Sequence, residues 1–141
     1  MSDRPELSLV MPAYNEEDGI ELVVERVDNV VRRMSLRYEL IVVDDGSIDD
    51  TRVKVNSYAG NNGHVKVVGY KNNVGKGFAL KTGFSHAVGD MVVFMDSDAE
   101  IDPKQVVRYV EALKDADVVV ASKWHPQSKV DTPLIRRILS H

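Results

Sequence analysis

Apolar residues recur along the chain in two periods. Short apolar runs at residues 7–11, 38–43, 65–68, 91–95 and 118–121 predict five strands. Between the first two, Ile20, Val23, Val24, Val27, Val30, Val31 and Met34 repeat at helical spacing. Asp49, Asp50 and Thr51 are N-cap residues for a second helix. Gly60-Asn61-Asn62-Gly63 marks a turn before the third run. A third helix is expected to bury Leu80, Phe84, Ala87 and Val88 and to end at Gly89-Asp90. Asp102-Pro103 starts a fourth, with Val106, Val107, Val110 and Leu113 on its inner face. Residues 126–133 read as a loop and residues 134–139 as the beginning of another helix. Apolar strands alternating with helices predict an α/β fold, a mainly parallel sheet covered on both faces.

The polar residues gather where those runs end. Pro12-Ala13-Tyr14-Asn15-Glu16 follows the first, Asp44-Asp45-Gly46-Ser47 the second and Asp96-Ser97-Asp98 the fourth, with Lys123 and Trp124 after the fifth. In open parallel sheets that edge is where ligands sit. So many carboxylates in one place repel one another unless a cation compensates. Asp96, Asp98 and Glu100 alternate and can aim oxygen ligands at one point, and hard oxygen donors favour Mg²⁺ or Mn²⁺ over zinc. Magnesium shares its shell with substrate phosphates, so a diphosphate is the implied ligand. Aspartates after strands also serve as turn formers and caps, which is the better reading for Asp49, Asp50 and Asp102. Lys71-Asn72-Asn73-Val74-Gly75-Lys76-Gly77 lacks the P-loop pattern, but it places N–H groups and Lys76 at a helix start, where an anion is favoured.

Composition narrows the classes. The 141 residues fit one domain spanning 1–141, and the net charge of −4 offers no general attraction to nucleic acid. With no cysteine, thiolate metal sites and cysteine nucleophiles are excluded. The first six residues are polar and no apolar stretch approaches the roughly 20 residues that span a bilayer. The expected protein is therefore soluble, or peripheral at the cytoplasmic face of a membrane. The sequence stops at His141 just as the amphipathic element of residues 134–139 starts, so a further half is expected beyond it.

The order of motifs is more telling than any one of them. Residues 10–16 (VMPAYNE), 42–47 (VVDDGS), 73–77 (NVGKG) and 95–98 (MDSD) together resemble family-2 glycosyltransferases, which have the GT-A fold. The polyprenyl-phosphate branch, typified by dolichyl-phosphate mannose synthases and bacterial undecaprenyl-phosphate sugar transferases, is most similar. There the acidic motif runs into a proline-started helix, as at Asp98 to Pro103, and later segments resemble Ser122-Lys123-Trp124 and Arg136 to Ser140. Lys123 and Trp124 stand where that branch carries arginine and tyrosine.

The resemblance implies roles. Pro12, Tyr14 and Glu16 line a nucleoside pocket, Asp44 or Asp45 bonds the base or ribose, and Lys76, Asp96 and Ser97 lie along the nucleotide sugar. Asp96 and Asp98 form the metal motif, with Glu100 in the place of a further ligand. Lys123, Arg136 and Ser140 meet the acceptor phosphate or the donor diphosphate. Asp98, Lys123 and Arg136 are thus the catalytic set. The implied reaction moves a sugar, with inversion, from a GDP- or UDP-linked donor to a polyprenyl phosphate. Alternatives are transfer to a sugar hydroxyl and a non-catalytic nucleotide-sugar-binding module. A phospho-acceptor receiver domain would need its acidic pair after the first strand, where Pro12 to Asn15 stand instead. A nucleotidyltransferase would open on a glycine-rich basic loop, which this chain lacks.

Overall fold

The computed structural model describes residues 3–98 and 100–121. Strands β1 (Leu7–Ala13), β2 (Tyr38–Asp44), β3 (Val65–Gly69) and β4 (Met91–Phe94) alternate with helices α1 (Ile20–Arg32), α2 (Thr51–Gly60), α3 (Lys76–His86) and α4 (Gln105–Ala112). All pairings are parallel, in the order β3-β2-β1-β4. The chain steps outward from β1 to β2 to β3. It then returns along α3, which packs across β1 and β2, and lays β4 on the far side of β1. The direction of travel therefore reverses between β1 and β4, and a crevice opens there beyond the strand ends.

Every residue of β1 and β2 is buried, as a parallel sheet with two covered faces requires. Leu7, Leu9 and Met11 of β1 join Leu40 and Val42 of β2 against α1, and Val55 and Val106 complete that core. The opposite face carries Val10, Ile41 and Val43 against Ala79 of α3. Helix α1 forms as its spacing predicts, burying Ile20, Val23, Val24, Val27 and Val31.

Two expectations need correction. Residues 118–121 form no strand, and Val118 and Val120 are 76% and 81% exposed. A strand needs a neighbour for its N–H and C=O groups, and β4 pairs only with β1 among the described residues. The buried positions of α3 are Ala79 and Gly83, with Leu80 and Ala87 at the margin, while Phe84 and Val88 face outward. The helix lies too close to the sheet for a large side chain. A Cβ on Gly83 would overlap Val10 and come within 2.9 Å of Val43 Cγ2.

Two buried carboxylates tie the layers together. Asp28 of α1 accepts from Tyr38 Oη, from Tyr58 Oη at 2.9 Å, from Asn62 Nδ2 at 2.6 Å and from Arg32 at 2.8 Å. Glu39 of β2 accepts from Ser8 Oγ at 2.6 Å, Lys66 Nζ at 2.7 Å and the Val88 N–H at 2.8 Å. Burial alone would raise both acids, but these donors outweigh it and hold both below the ordinary carboxylate range. The unfolded chain therefore binds more protons than the folded one in acid. This stability is fully present above the ordinary values, near pH 4, and is lost as pH falls through the lower folded values. Thermal melts are expected to show Tm falling steeply below about pH 4. The fall should be shallower in Asp28→Asn, and an identical slope in that variant would remove Asp28 from the account.

Candidate active site

The loops after β1 and β2 are stitched to each other by short polar side chains. Asn15, in the left-handed region at φ 52°, donates its N–H to Ser47 Oγ at 3.0 Å and accepts from the Ile48 N–H at 3.0 Å. The Glu16 N–H donates to Thr51 Oγ1 at 2.8 Å and the Glu17 N–H to Asp49 Oδ2 at 3.2 Å. Asp49 also accepts from the Thr51 N–H at 3.0 Å in a local turn, while Asp50 stands at the N-cap of α2 and its side chain makes no capping bond. Asp102 makes the same kind of local turn, accepting from the Lys104 N–H at 3.0 Å, and Lys104 stands at the N-cap of α4. With their backbone groups satisfied, these loops leave Tyr14 and Glu16 on the wall of the crevice.

That crevice is a cleft of about 210 Å³ lined by Pro12, Ala13, Tyr14, Glu16, Asp45, Lys76, Asp96, Ser97 and Asp98. It draws on the ends of β1, β2 and β4 and on the first residue of α3. Eight of the positions expected from the sequence meet here, and Ala13 is the lining residue that the motifs did not single out. Asp44 is not among them. It lies buried behind the cleft, accepting the Ser47 N–H at 3.0 Å. Glu100 is also outside the lining, and its N–H donates to Asp98 Oδ1 at 3.0 Å. Lys123, Arg136 and Ser140 fall outside the described residues.

The electrostatics favour a cation. Glu16 is pushed up from the ordinary glutamate value by burial first, and then by the negative charges of Asp98 and Asp49. Lys76 Nζ stands 2.5 Å from Asp96 Oδ1 and offsets part of that charge. Among the described residues no three carboxylate or histidine side chains are close enough to hold a metal by themselves. Asp96 and Asp98 nevertheless supply two hard oxygen donors from one turn. That set suits Mg²⁺ or Mn²⁺ completing its shell from water and a bound diphosphate.

Fold and cleft together define a parallel α/β domain with its acidic turn at the switch point. Residues 8–139 match glycosyl transferase family 2, and the chain belongs to that family. It is 36% identical over 136 residues to the dodecaprenyl-phosphate galacturonate synthase of Rhizobium johnstonii, a match covering 96% of this chain and 40% of that protein. Other curated relatives also carry polyprenyl- or dolichol-phosphate transferase names. The chain spans well under half the length of the curated relatives it matches.

Solved structures agree on the GT-A fold. The mannosyltransferase PcManGT of Pyrobaculum calidifontis, in complex with GDP-Man and Mn²⁺, superposes with a TM-score of 0.64 at 31% identity, covering 82% of this chain and 34% of that one. The glucosyl-3-phosphoglycerate synthase of Mycobacterium tuberculosis, in complex with Mn²⁺, UDP and phosphoglyceric acid, superposes with a TM-score of 0.64 at 35% identity, covering 77% and 39%.

Proposed function

We propose that this protein transfers a sugar from a nucleoside-diphosphate donor to a polyprenyl phosphate, with a divalent metal and with inversion at the anomeric carbon. The observation that carries the reading is the meeting of Glu16, Lys76, Asp96 and Asp98 in one cleft of a family-2 chain. The acceptor class follows from relatives named for polyprenyl phosphates. GDP and UDP remain the two candidate nucleotides, since neighbours of equal TM-score are solved with one or the other.

In this mechanism Pro12, Tyr14 and Glu16 hold the nucleoside at the β1 end of the cleft. Asp96 and Asp98 are the residues that would hold Mg²⁺ or Mn²⁺, and the ion would supply positive charge to offset that of the departing diphosphate. Lys76, already at the acidic turn, adds a positive charge beside the donor phosphates. Lys123, Arg136 and Ser140 are assigned to the acceptor phosphate. A phosphate is anionic at neutral pH, so the attacking oxygen needs little help from a general base. No helix among the described residues is long and apolar enough to cross a membrane.

Calorimetry with GDP and UDP, in Mn²⁺ and again in EDTA, tests the donor half. One nucleotide is expected to bind in Mn²⁺ and to be lost in EDTA. Equal binding in both would remove the metal from the mechanism, and no binding of either would remove the donor site. Product assays on the full-length protein test the acceptor. Sugar should pass to a short polyprenyl phosphate and not to the matching polyprenol, and transfer to the alcohol would overturn the phosphate reading.

A further inference from the structure

A hollow of about 180 Å³ lies between α1 and the start of α4, and it shares no lining residue with the cleft. Arg26, Asn29 and Arg33 line it from the α1 side, and Asp102 and Lys104 from the other. Arg26, Asn29 and Arg33 fall three and four residues apart, so one face of the helix presents all three. Half-buried Val30 and buried Pro103 are the apolar part of the lining.

The charges around this hollow are unbalanced. Among the described residues, Arg26, Arg33 and Lys104 form no ion pair, whereas the neighbouring Arg32 closes on Asp28 at 2.8 Å. The sequence explains the difference. One turn away from Arg26 stand Leu22, Val23, Asn29 and Val30, and one turn before Arg33 stand Asn29 and Val30. One turn after Lys104 come Val107 and Arg108. Asp102 is the single acid in the lining, and it accepts the Lys104 N–H at 3.0 Å. Three cations thus face one carboxylate in a chain whose net charge is −4. The start of α4 offers no free donors of its own. The N–H groups of Gln105, Val106 and Val107 already reach the carbonyls of Asp102, Pro103 and Lys104 at 2.9, 3.0 and 3.2 Å. Recognition therefore falls to the side chains. Two guanidinium forks, an ammonium and the Asn29 amide suit a group with several acceptor oxygens in different directions. A phosphate has them, while a carboxylate offers two oxygens in one plane. We propose that this hollow is a second ligand site, which binds a phosphate group through Arg26, Arg33, Lys104 and Asn29. The group is carried by a soluble phosphate or by a lipid headgroup. The site stands apart from the donor-site reading, so either can fail without the other.

Residue-resolved NMR of the protein titrated with sodium phosphate tests it, with sodium chloride at matched ionic strength as the control. Phosphate is expected to shift the signals of Arg26, Asn29, Arg33 and Lys104 to saturation, and chloride is not. Equal shifts with chloride would reduce the effect to screening and overturn the site. Arg26→Gln combined with Arg33→Gln removes two exposed guanidiniums, so Tm should hold while phosphate affinity falls about tenfold. Asp102→Asn should act in the opposite sense and tighten phosphate about twofold, since it removes the negative charge and keeps an oxygen for the Lys104 N–H. Phosphate affinity unchanged in the double variant would overturn the proposal. Sedimentation with phosphatidylcholine vesicles, with and without phosphatidic acid, separates the two sources. Binding that needs phosphatidic acid, is competed by inorganic phosphate and is lost in the double variant assigns the group to a headgroup. Saturable phosphate binding without vesicle binding assigns it to a soluble ligand.

Discussion

Asp98→Asn is expected to remove most Mn²⁺-supported donor binding and to lower kcat by about 10²–10³, the loss typical when one electrostatic stabiliser of a developing charge is removed. Asparagine keeps the size of the side chain and one oxygen, so it can still accept the Glu100 N–H that closes this turn. What disappears is a negative charge in the cleft, and a metal tunes its affinity by the charge of its ligands. The same substitution carries a second readout that needs no metal. Asp98 is the larger of the two charges that push Glu16 upward, after burial. Carboxyl titration by NMR should therefore find Glu16 closer to its ordinary value in Asp98→Asn. Donor affinity unchanged in Mn²⁺ would sink the metal assignment. A Glu16 that does not move would show that the two acids do not share the cleft.

Much of this site is legible in the sequence because strand ends are. Apolar runs of period-independent burial locate β1, β2, β3 and β4, and the polar residues following them must lie on the carboxyl edge of a parallel sheet. That logic places Pro12, Tyr14, Glu16, Asp96 and Asp98 together without coordinates. It does not reveal what a carboxylate does once there. Asp44 and Asp45 are adjacent and chemically identical, yet one accepts the Ser47 N–H behind the cleft and the other anchors a loop roughly thirty residues later. The partners of Asp45 come from the loop after β3, and only the pairing of β2 with β3 brings them within reach. Helix α3 departs from its spacing for a related reason. Periodicity weights large apolar side chains, so it selected Phe84. The contact itself is set by how closely a helix can approach a sheet, and that favours Ala79 and Gly83. Residues 118–121 show the same limit from the other side. Their composition suits a strand, but a strand exists only where a neighbour completes its hydrogen bonds.

Gly46→Ala is expected to be the most destabilising single methyl that can be added near the cleft. Gly46 has a φ of 71°, where an alanine costs roughly 1–2 kcal/mol through its Cβ alone. The added atom would also overlap the Asn72 carbonyl carbon and lie 2.5 Å from Asn73 N and 2.8 Å from Asn72 O. These are backbone atoms, with no rotamer to turn aside. They belong to the loop whose Asn73 and Val74 donate to Asp45, so the overlap can be relieved only by moving that loop or the β2 end. Overpacking of this kind costs typically about 1–3 kcal/mol, giving a total near 2–5 kcal/mol. In a domain of this size that should lower Tm by about 10 °C. Gly60→Ala is the matching control. Its Cβ meets nothing within 4 Å and its φ is not positive, so Tm should hold or rise slightly. If the loop yields instead of the fold, Gly46→Ala will keep its Tm but lose diphosphate binding, as Lys76 shifts from Asp96. A variant that keeps both Tm and binding would show that residues 72–73 do not press on Gly46, and the loop before α3 would then have to sit elsewhere.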